Sequence, residues 1–403
     1  MEHSPRYDLC IIGGAGHVGL PLAVSFANTG VSTVIFDIDE NALEIVKKGN
    51  FPFKEEGGDE ALRQALKSGK LTASIDPTVI RDSRFLISVI GTPIDEHLNP
   101  DFGGINRLIE TYLPYFRNGH ILILRSTVYP GTTKNIQSRF RERGLDVRLA
   151  FCPERIVQGK ALIELRTQPQ ILSAFDDETY NAVRDLFQRL TEKKIFRVDL
   201  MEAELAKLFS NAWRYITFAV ANQFYMIAEE NGLDYKKIDY AMRKDYPRNT
   251  NMPTPGFAAG PCLFKDTMQL SAFARNSFFL GHSAMLVNEG LPQFIIEQLK
   301  QISNLSKKTI GILGMAFKAN NDDSRASLSF KLKKIAEMEC KNVLCHDVYI
   351  SNSQFSTIDE ILQRADIIIL ATPHDEYLTI DPKKYPGKTF IDIWSVLPTS
   401  KET

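Results

Sequence analysis

The chain has few cysteines, no long apolar run and almost no net charge, and each shortage excludes a class of protein. Five cysteines among 403 residues, without paired spacing, argue against a disulfide-stapled fold or a structural metal site. No apolar run reaches membrane-spanning length, which argues against a transmembrane protein. With 48 Lys and Arg against 49 Asp and Glu, the balanced charge argues against a nucleic-acid partner. The first apolar run leads into a glycine loop, so we expect a strand rather than a signal peptide, and a reduced, cytoplasmic enzyme.

The order of apolar segments predicts an α/β fold in three parts. Strand-like runs alternate with helical segments at the start of the chain and again near its end, as in parallel sheets with helices on both faces. Between them, residues 202–231 contain no Gly or Pro and keep a helical apolar period, which predicts one long helix. The prediction is therefore two Rossmann-like, doubly wound parallel-sheet domains joined by a long central helix and a helical middle domain. The predicted bounds are 1–198, 199–303 and 304–403, and the apolar long helix predicts a homodimer or a larger homo-oligomer.

A dinucleotide fingerprint follows the first strand. Gly14, Gly16 and Gly19 form G-x-G-x-x-G at the start of a helix, which suits a tight turn, a close approach to pyrophosphate and helix–strand packing. A second strand ends at Asp37, whose carboxylate can bind both ribose hydroxyls and would repel a 2′-phosphate, so NAD is favoured over NADP. The alternative is a glycine-rich turn that holds no ligand. The cofactor residues predicted from this unit are Gly14, Gly16, His17, Val18, Gly19 and Asp37.

Two further segments lie where strands of the same sheet end. Thr92-Pro93 follows one strand and Ser126-Thr127-Val128 follows another. Ligands of open α/β sheets bind at the carboxyl ends of the strands, so both segments are candidate contacts of the nicotinamide side. Each could instead be a plain turn.

A candidate nucleophile lies in the run PGFAAGPCLFKDTMQL. Cys262 follows a Gly-Pro turn and precedes Lys265 and Asp266, a polar setting in which a thiolate can form and attack a carbonyl. Lys207 and Asn211 lie four residues apart on the predicted long helix, so their side chains share one face. The plainer alternatives are a buried structural cysteine, a solvated helix lysine and a core amide.

Six motifs in sequence order resemble the UDP-glucose/GDP-mannose dehydrogenase family, the NAD-dependent nucleotide-sugar 6-dehydrogenases. They are GAGHVGLPLA, STVYPGTT, PER, AKLFSNAW, GFAAGPCLFKD and GMAFKANNDDSRAS, and they span almost the whole chain. The resemblance implies a double oxidation of the sugar C6 alcohol to a carboxylate, with two NAD per turnover. It also implies that the C-terminal α/β domain binds the UDP half of the substrate.

The resemblance assigns catalytic roles to six residues of this chain. Cys262 matches the nucleophile that captures the aldehyde as a thiohemiacetal, which is then oxidised to a thioester. Lys207 and Asn211 match the residues that stabilise the oxyanion, and Asp266 matches a proton acceptor that works through water. Glu154 matches the base for thioester hydrolysis, and Thr127 a threonine that positions the water. On the residues alone, Glu154 could instead be a helix-capping carboxylate.

Further positions match family contacts with substrate or cofactor. Arg325 matches a family contact near the cofactor. Thr127 is also predicted to bind the cofactor. The residues expected to bind the substrate are Arg155, Lys207, Arg248, Phe257, Gly260 and Lys318.

The motifs point to more than one nucleotide sugar. PER and Tyr246-Pro247-Arg248 resemble UDP-N-acetylhexosamine dehydrogenases, in which Arg248 would reach the neighbouring subunit's sugar. Lys265-Asp266-Thr267 resembles the UDP-glucose branch, and PGFA resembles GDP-mannose enzymes. The glycine-rich G-x-G-G that usually precedes the nucleophile is replaced by residues 256–261. We favour a UDP-sugar, with N-acetylhexosamine ahead of glucose. The alternatives are a GDP-mannose 6-dehydrogenase, a single-oxidation hydroxyacid-type dehydrogenase and a non-catalytic nucleotide-sugar-binding protein.

Overall fold

The computed structural model describes residues 5–91 and 103–398 of the chain. Its contacts divide the chain into two compact units, Met1–Phe209 and Ser210–Thr403. The boundary falls inside one long helix.

The N-terminal unit is built on an eight-stranded sheet in the order β3-β2-β1-β4-β5-β6-β7-β8. Its neighbouring strands are parallel except for β6 and β7, which are antiparallel. The strands are β1 (Tyr7–Ile12), β2 (Thr33–Phe36), β3 (Leu71–Ser74), β4 (Ser83–Ser88), β5 (Ile121–Leu124), β6 (Arg148–Phe151), β7 (Gln170–Ala174) and β8 (Ile195–Arg197).

Helices cover both faces of this sheet because its central strands are apolar on both sides. In β1, Leu9 and Ile11 belong to one buried cluster, whereas Cys10 and Ile12 belong to another. The helices are α1 (Gly19–Asn28), α2 (Glu40–Lys47), α3 (Gly58–Lys67), α4 (Thr78–Arg81), α5 (Gly103–Tyr112), α6 (Thr132–Glu142), α7 (Ala161–Thr167) and α8 (Asp177–Gln188). This is the doubly wound arrangement that the alternating segments predict.

The long predicted helix is α9 (Leu200–Glu230), which runs for 31 residues. An apolar stripe on it is exposed, formed by Trp213, Val220, Phe224 and Ile227. The spacing of seven, four and three residues places these side chains along one side of the helix.

The C-terminal unit contains further helices and a four-stranded parallel sheet in the order β10-β9-β11-β12. The strands are β9 (Thr309–Leu313), β10 (Asn342–His346), β11 (Ile367–Leu370) and β12 (Thr389–Asp392). The helices after α9 are α10 (Tyr235–Arg243), α11 (Leu263–Phe273), α12 (Phe279–Ile302), α13 (Leu328–Glu339) and α14 (Ile358–Arg364). Within the described residues, no helix combines the length and apolar content needed to cross a membrane.

The predicted fold class is confirmed, including two mostly parallel sheets and the long central helix. Two short strands, β3 and β8, were not predicted, since β3 has only one buried residue and β8 is mainly exposed, so neither contains an apolar run. The antiparallel pairing of β6 with β7 is the one departure from purely parallel pairing among the described strands, and it reverses the direction of both β7 and β8.

Candidate functional site

The turn after β1 leaves backbone room for a phosphate group. A Cβ atom added at Gly14 would lie 2.8 Å from the Ile11 carbonyl oxygen, and one at Gly19 would lie 2.6 Å from the Gly14 Cα. These two glycines therefore permit the close packing of α1 against β1. Gly16, in contrast, is exposed, and its added Cβ would meet nothing nearer than 3.9 Å. The open backbone beside Gly16 at the N-terminus of α1 fits a pyrophosphate.

Asp37 is held at the carboxyl end of β2, next to this turn. Its Oδ2 accepts a hydrogen bond of 2.9 Å from the Ala15 amide, and its Oδ1 accepts one of 3.1 Å from the Asp39 amide. The carboxylate is therefore fixed where the ribose of a dinucleotide would lie, and the residues fit NAD. Val18 is the N-cap of α1, and the His17 ring packs on Phe53 with 4.0 Å between centroids. The predicted contacts Thr92 and Pro93 lie outside the described residues.

A buried ion pair joins the ends of the adjacent strands β5 and β6. Arg125 is fully buried, and its Nε donates to Glu154 Oε2 at 2.9 Å while its Nη2 lies 2.8 Å from the same oxygen. Arg125 Nη1 donates to the Cys152 carbonyl oxygen and to Gln170 Oε1 at 3.0 and 2.9 Å. The other carboxylate oxygen of Glu154 accepts the backbone amides of Arg155 and Ile156 at 2.7 and 3.1 Å. Glu154 is thus held in one orientation by one cation and two amides.

The electrostatics of this cluster favour a charged guanidinium and a protonated thiol. Burial alone would lower the pKa of Arg125, but the charge and hydrogen bonds of Glu154 and Cys152 outweigh it and raise that pKa. Burial raises the pKa of the Cys152 thiol to about 11. Arg125 was not predicted from the sequence. The available signal was a basic residue at the end of an apolar strand, directly before Ser126-Thr127.

Glu204 on α9 ties the loop that carries Thr127 to the helix that carries Lys207. Its carboxylate accepts the Gly131 amide at 2.5 Å and the Thr133 amide and hydroxyl at 3.0 and 2.6 Å. Thr127 is buried earlier in this loop, which connects β5 to α6. Lys207 is half-buried one turn after Glu204. Sequence reasoning missed Glu204, although its spacing of three residues from Lys207 was a signal.

In the C-terminal unit, the candidate thiol lies at the start of α11. Cys262 is exposed and is the N-cap of this helix. Asp266 follows one turn later, is fully buried, and accepts a hydrogen bond of 2.5 Å at Oδ2 from Asn211 Nδ2 on α9. Lys265 Nζ lies 3.2 Å from the other carboxylate oxygen, Asp266 Oδ1. The structure therefore brings Asn211 and Asp266 into direct contact.

The loop before Cys262 packs on the loop after β9. Phe257 is buried, and the Gly260 amide donates to the Ala326 carbonyl oxygen at 3.2 Å. Gly260 has φ +104°, and an added Cβ would lie 2.5 Å from the Phe317 ring, so only glycine fits there. Lys318 follows Phe317 and is half-buried.

Arg325 places a cation close to the thiol. Its Nε and Nη2 donate to the Asp323 carboxylate at 2.9 and 2.6 Å. The hydrogen bond to Asp323 is the largest cause of the raised pKa of Arg325, and the charge of Cys262 also contributes. A neighbouring cation and a helix N-terminus both favour a thiolate.

Two predicted substrate residues remain, Arg155 beside the Glu154 cluster and Arg248 in the C-terminal unit. The Arg155 guanidinium donates to the Pro169 carbonyl oxygen in the N-terminal unit. Arg248 is exposed in a short 3-10 turn, Pro247–Asn249, of the C-terminal unit. Within the residues that the structure describes, no group of three or more His, Cys, Asp and Glu side chains could hold a metal ion.

Three family models match successive parts of the chain. All three belong to the UDP-glucose/GDP-mannose dehydrogenase family: the NAD binding domain at 7–191, the central domain at 201–289 and the UDP binding domain at 311–399.

Relatives from archaea match almost end to end. The UDP-N-acetyl-D-mannosamine dehydrogenase of Methanocaldococcus jannaschii is 29% identical, over 96% of this chain and 92% of the relative. That of Pyrococcus horikoshii is 30% identical, over 91% of this chain and 90% of the relative. The solved structure of the Pyrococcus horikoshii UDP-D-ManNAc dehydrogenase superimposes with a TM-score of 0.89 and 27% identity, over 97% of this chain and 96% of that one.

These matches confirm the family and the cofactor that the sequence motifs predict. The NAD binding domain contains the glycine turn and Asp37, so NAD is the cofactor. The chain belongs to the UDP-glucose/GDP-mannose dehydrogenase family and is an NAD-dependent oxidoreductase that acts on the CH–OH group of a nucleotide sugar.

Proposed function

We propose that the chain oxidises the C6 alcohol of a UDP-sugar to the uronate in a four-electron reaction, with UDP-N-acetylhexosamine favoured over UDP-glucose. The observation that carries the proposal is the exposed thiol of Cys262 at the start of α11, one turn before the buried Asn211–Asp266 pair. A dehydrogenase that stops at one oxidation has no need of a nucleophile there. The relatives that act on UDP-N-acetyl-D-mannosamine support the choice of sugar.

In the first oxidation, the C6 hydroxyl must lose its proton as its carbon loses a hydride. Bound NAD supplies the hydride acceptor for both oxidations. Asp266, held by Asn211 and Lys265, is proposed to take the hydroxyl proton through a water molecule. Lys207 and Asn211 are proposed to stabilise the negative charge that develops on the oxygen.

Cys262 is proposed to prevent the escape of the aldehyde. Its thiolate, favoured by Arg325 and by the N-terminus of α11, adds to the carbonyl carbon to give a thiohemiacetal. Oxidation of this adduct leaves a thioester. Glu154, oriented by Arg125, is proposed to deprotonate a water positioned by Thr127. Attack of this water releases the carboxylate product and the thiolate of Cys262.

The remaining predicted residues are proposed to bind the substrate and to orient it. Arg155, Arg248, Phe257, Gly260 and Lys318 are assigned to the sugar and the UDP group. The UDP binding domain matched at 311–399 supports Lys318 in this role. Thr127 and Arg325 are proposed to contact the cofactor as well.

We also propose that the chain is cytoplasmic and forms a homodimer or a larger homo-oligomer, with the central part at 199–303 forming the interface. The exposed stripe of Trp213, Val220, Phe224 and Ile227 on α9 supports this proposal, because a stripe of this kind is usually covered. Phe224→Glu should shift the protein toward monomer in sedimentation velocity. If wild type is itself a monomer, the proposal of a dimer is wrong.

The test of function is NADH formation by purified protein with NAD and a limiting amount of one sugar nucleotide. The sugars are UDP-glucose, UDP-N-acetylglucosamine, UDP-N-acetylmannosamine, UDP-N-acetylgalactosamine and GDP-mannose. Two NADH per sugar with a UDP-N-acetylhexosamine is the expected result. One NADH per sugar would indicate a single-oxidation dehydrogenase. Binding without NADH formation would indicate a nucleotide-sugar-binding protein.

A further inference from the structure

The backbone of Gly256, six residues before Cys262, is paired with one side chain. The Gly256 amide donates to Asn222 Oδ1 at 2.8 Å, and Asn222 Nδ2 donates to the Gly256 carbonyl oxygen at 3.0 Å. Asn222 lies on α9 and is fully buried. Its side chain therefore binds the loop before the nucleophile as a neighbouring strand would, through both backbone groups of one residue.

A second asparagine fixes the orientation of the first. Asn222 Nδ2 also donates to Asn288 Oδ1 at 2.9 Å, and Asn288 lies fully buried on α12. Asn288 Nδ2 donates in turn to the Tyr215 carbonyl oxygen at 3.0 Å. The hydrogen-bond partners thus fix the orientation of each side-chain amide. Asn222 has a single orientation that satisfies both Gly256 and Asn288.

The other side of Gly256 is closed by Trp394. A Cβ atom added to Gly256 would lie 2.4 Å from the Trp394 ring, and Gly256 has φ +151°, so this position accepts only glycine. Trp394 is itself held by a hydrogen bond of 3.1 Å from Nε1 to the Ala371 carbonyl oxygen. Four residues further on, Gly260 is held by Ala326. The loop 256–260 is therefore fixed at both ends directly before Cys262.

We propose that Asn222 and Asn288 are positioning residues that set the place of Cys262 relative to the reacting carbon. The inference rests on the proposed function, in which Cys262 captures the aldehyde. Two buried amides are costly unless all their partners are in place, so the network specifies one loop position rather than adding general packing. A displacement of the nucleophile of about 1 Å can cost about 100-fold in rate.

The consequence is a change in stoichiometry. With Cys262 in place, the aldehyde from the first oxidation forms a carbon–sulfur bond, and its oxygen takes up a proton before the second oxidation. With Cys262 displaced, the aldehyde dissociates after one NAD has been reduced. The ratio of NADH to sugar then falls from two toward one, and free aldehyde accumulates.

The test uses Asn222→Asp and Asn288→Asp in the full-length enzyme with limiting sugar nucleotide. Asn222→Asp keeps an acceptor for the Gly256 amide but loses the donor to its carbonyl oxygen. Asn288→Asp keeps the acceptor for Asn222 and loses the donor to Tyr215. The readouts are NADH per sugar and the aldehyde captured by an aminooxy reagent, detected by mass spectrometry. In each variant we expect the ratio of NADH to sugar to fall toward one and captured aldehyde to be detected. We also expect kcat to be at least about 10-fold lower than in wild type.

The matched control is Asn231→Asp. Asn231 is exposed just after α9, where its side chain donates to the Ile227 carbonyl oxygen. This variant should keep two NADH per sugar. Because the ratio counts product per sugar consumed, it does not depend on how much of a preparation is folded, so a destabilised variant is still informative.

The outcomes separate this inference from the proposed function. One NADH per sugar from wild type would overturn the proposed four-electron reaction. Two NADH per sugar from wild type and from both asparagine variants, without captured aldehyde, would overturn only the positioning role. A slower rate with an unchanged ratio would indicate that the asparagines stabilise the fold and do not position Cys262.

Discussion

Asn211 and Asp266 are joined by a hydrogen bond of 2.5 Å between Nδ2 and Oδ2, although they are 55 residues apart in the chain. The contact connects α9 to α11 and holds the carboxylate one turn after Cys262. Because Asp266 is fully buried, its carboxylate depends on Asn211 and Lys265 for stabilisation.

Asp266→Asn tests the carboxylate of this pair. The amide keeps the size of the side chain and loses the proton acceptor, so kcat should fall by about 100-fold or more while the KM for NAD stays near that of wild type. Steady-state NADH formation measures both. Asp359→Asn on the exposed surface of α14 is the control and should match wild type. Wild-type kcat in Asp266→Asn would contradict its proposed role.

The ion pair of Arg125 and Glu154 predicts non-additive effects on stability. Arg125→Met removes the guanidinium that is hydrogen-bonded to the buried Glu154 carboxylate, which should lower the free energy of unfolding of the N-terminal unit by about 3 to 5 kcal/mol. The double variant Arg125→Met/Glu154→Gln should regain most of that loss. Urea unfolding followed by far-UV circular dichroism measures the four proteins of the cycle.

A surface ion pair of the same unit provides the control. Arg148→Met removes an exposed pair with Glu178 and should cost less than about 1 kcal/mol. A loss in Arg125→Met as small as that in Arg148→Met would contradict a structural role of the buried pair.

Asp37 predicts the preference for NAD over NADP. Asp37→Asn keeps one acceptor oxygen for the Ala15 and Asp39 amides, replaces the other oxygen with an NH2 donor, and loses the charge that repels a 2′-phosphate. The ratio of kcat/KM for NAD to that for NADP should fall at least about 10-fold, which corresponds to about 1.4 kcal/mol. Asp8→Asn is the control, since Asp8 likewise accepts a loop amide, that of Ser32, at 2.9 Å. An unchanged ratio in Asp37→Asn would show that other residues determine the preference for NAD over NADP.

Asp347 predicts how the C-terminal unit responds to acid. Burial alone would raise the pKa of Asp347, but His374 and the Tyr349 and Ala316 amides outweigh it and lower that pKa from 3.8 to about 2. The folded pKa of Asp347 is below its unfolded value. The contribution of Asp347 to the free energy of unfolding is therefore present above about pH 4 and is lost as the pH falls toward 2. This contribution is about 2 kcal/mol.

Tryptophan fluorescence can follow this loss, because both tryptophans of the chain, Trp213 and Trp394, lie in the C-terminal unit. Urea unfolding of wild type should weaken between pH 4 and 2. Asp347→Asn should be less stable at pH 7 and should lose less stability over the same interval. The same pH dependence in Asp347→Asn and wild type would assign the acid sensitivity to other groups.

The sequence predicted the elements that have a long or regular pattern. The α9 helix follows from 30 residues without Gly or Pro, and the first glycine turn from its position between a strand and a helix. Individual candidates such as Cys262, Asp266 and Glu154 were also predicted, because the family motifs surround them.

Side-chain partners distant in the chain were not predicted. Asn222 contacts Gly256, which is 34 residues away in the chain, and Asn288, which is 66 residues away. No local spacing in the sequence therefore indicates the network. Arg125 meets Gln170 across 45 residues for the same reason. Such contacts depend on how helices and strands pack, which periodicity does not determine. The short strands β3 and β8 were missed because β3 has only one buried residue and β8 is mainly exposed, so neither gives an apolar pattern.

The most direct test of the account is intact-mass analysis of wild type quenched in acid during turnover, with Cys262→Ser treated in parallel. We expect a mass increase of one sugar nucleotide in the wild-type protein, which peptide mapping assigns to the peptide that contains Cys262, and a serine variant that carries no adduct and does not complete the second oxidation. An unmodified wild-type protein, together with a serine variant that yields two NADH per sugar at the wild-type rate, would contradict the thiol-dependent reaction.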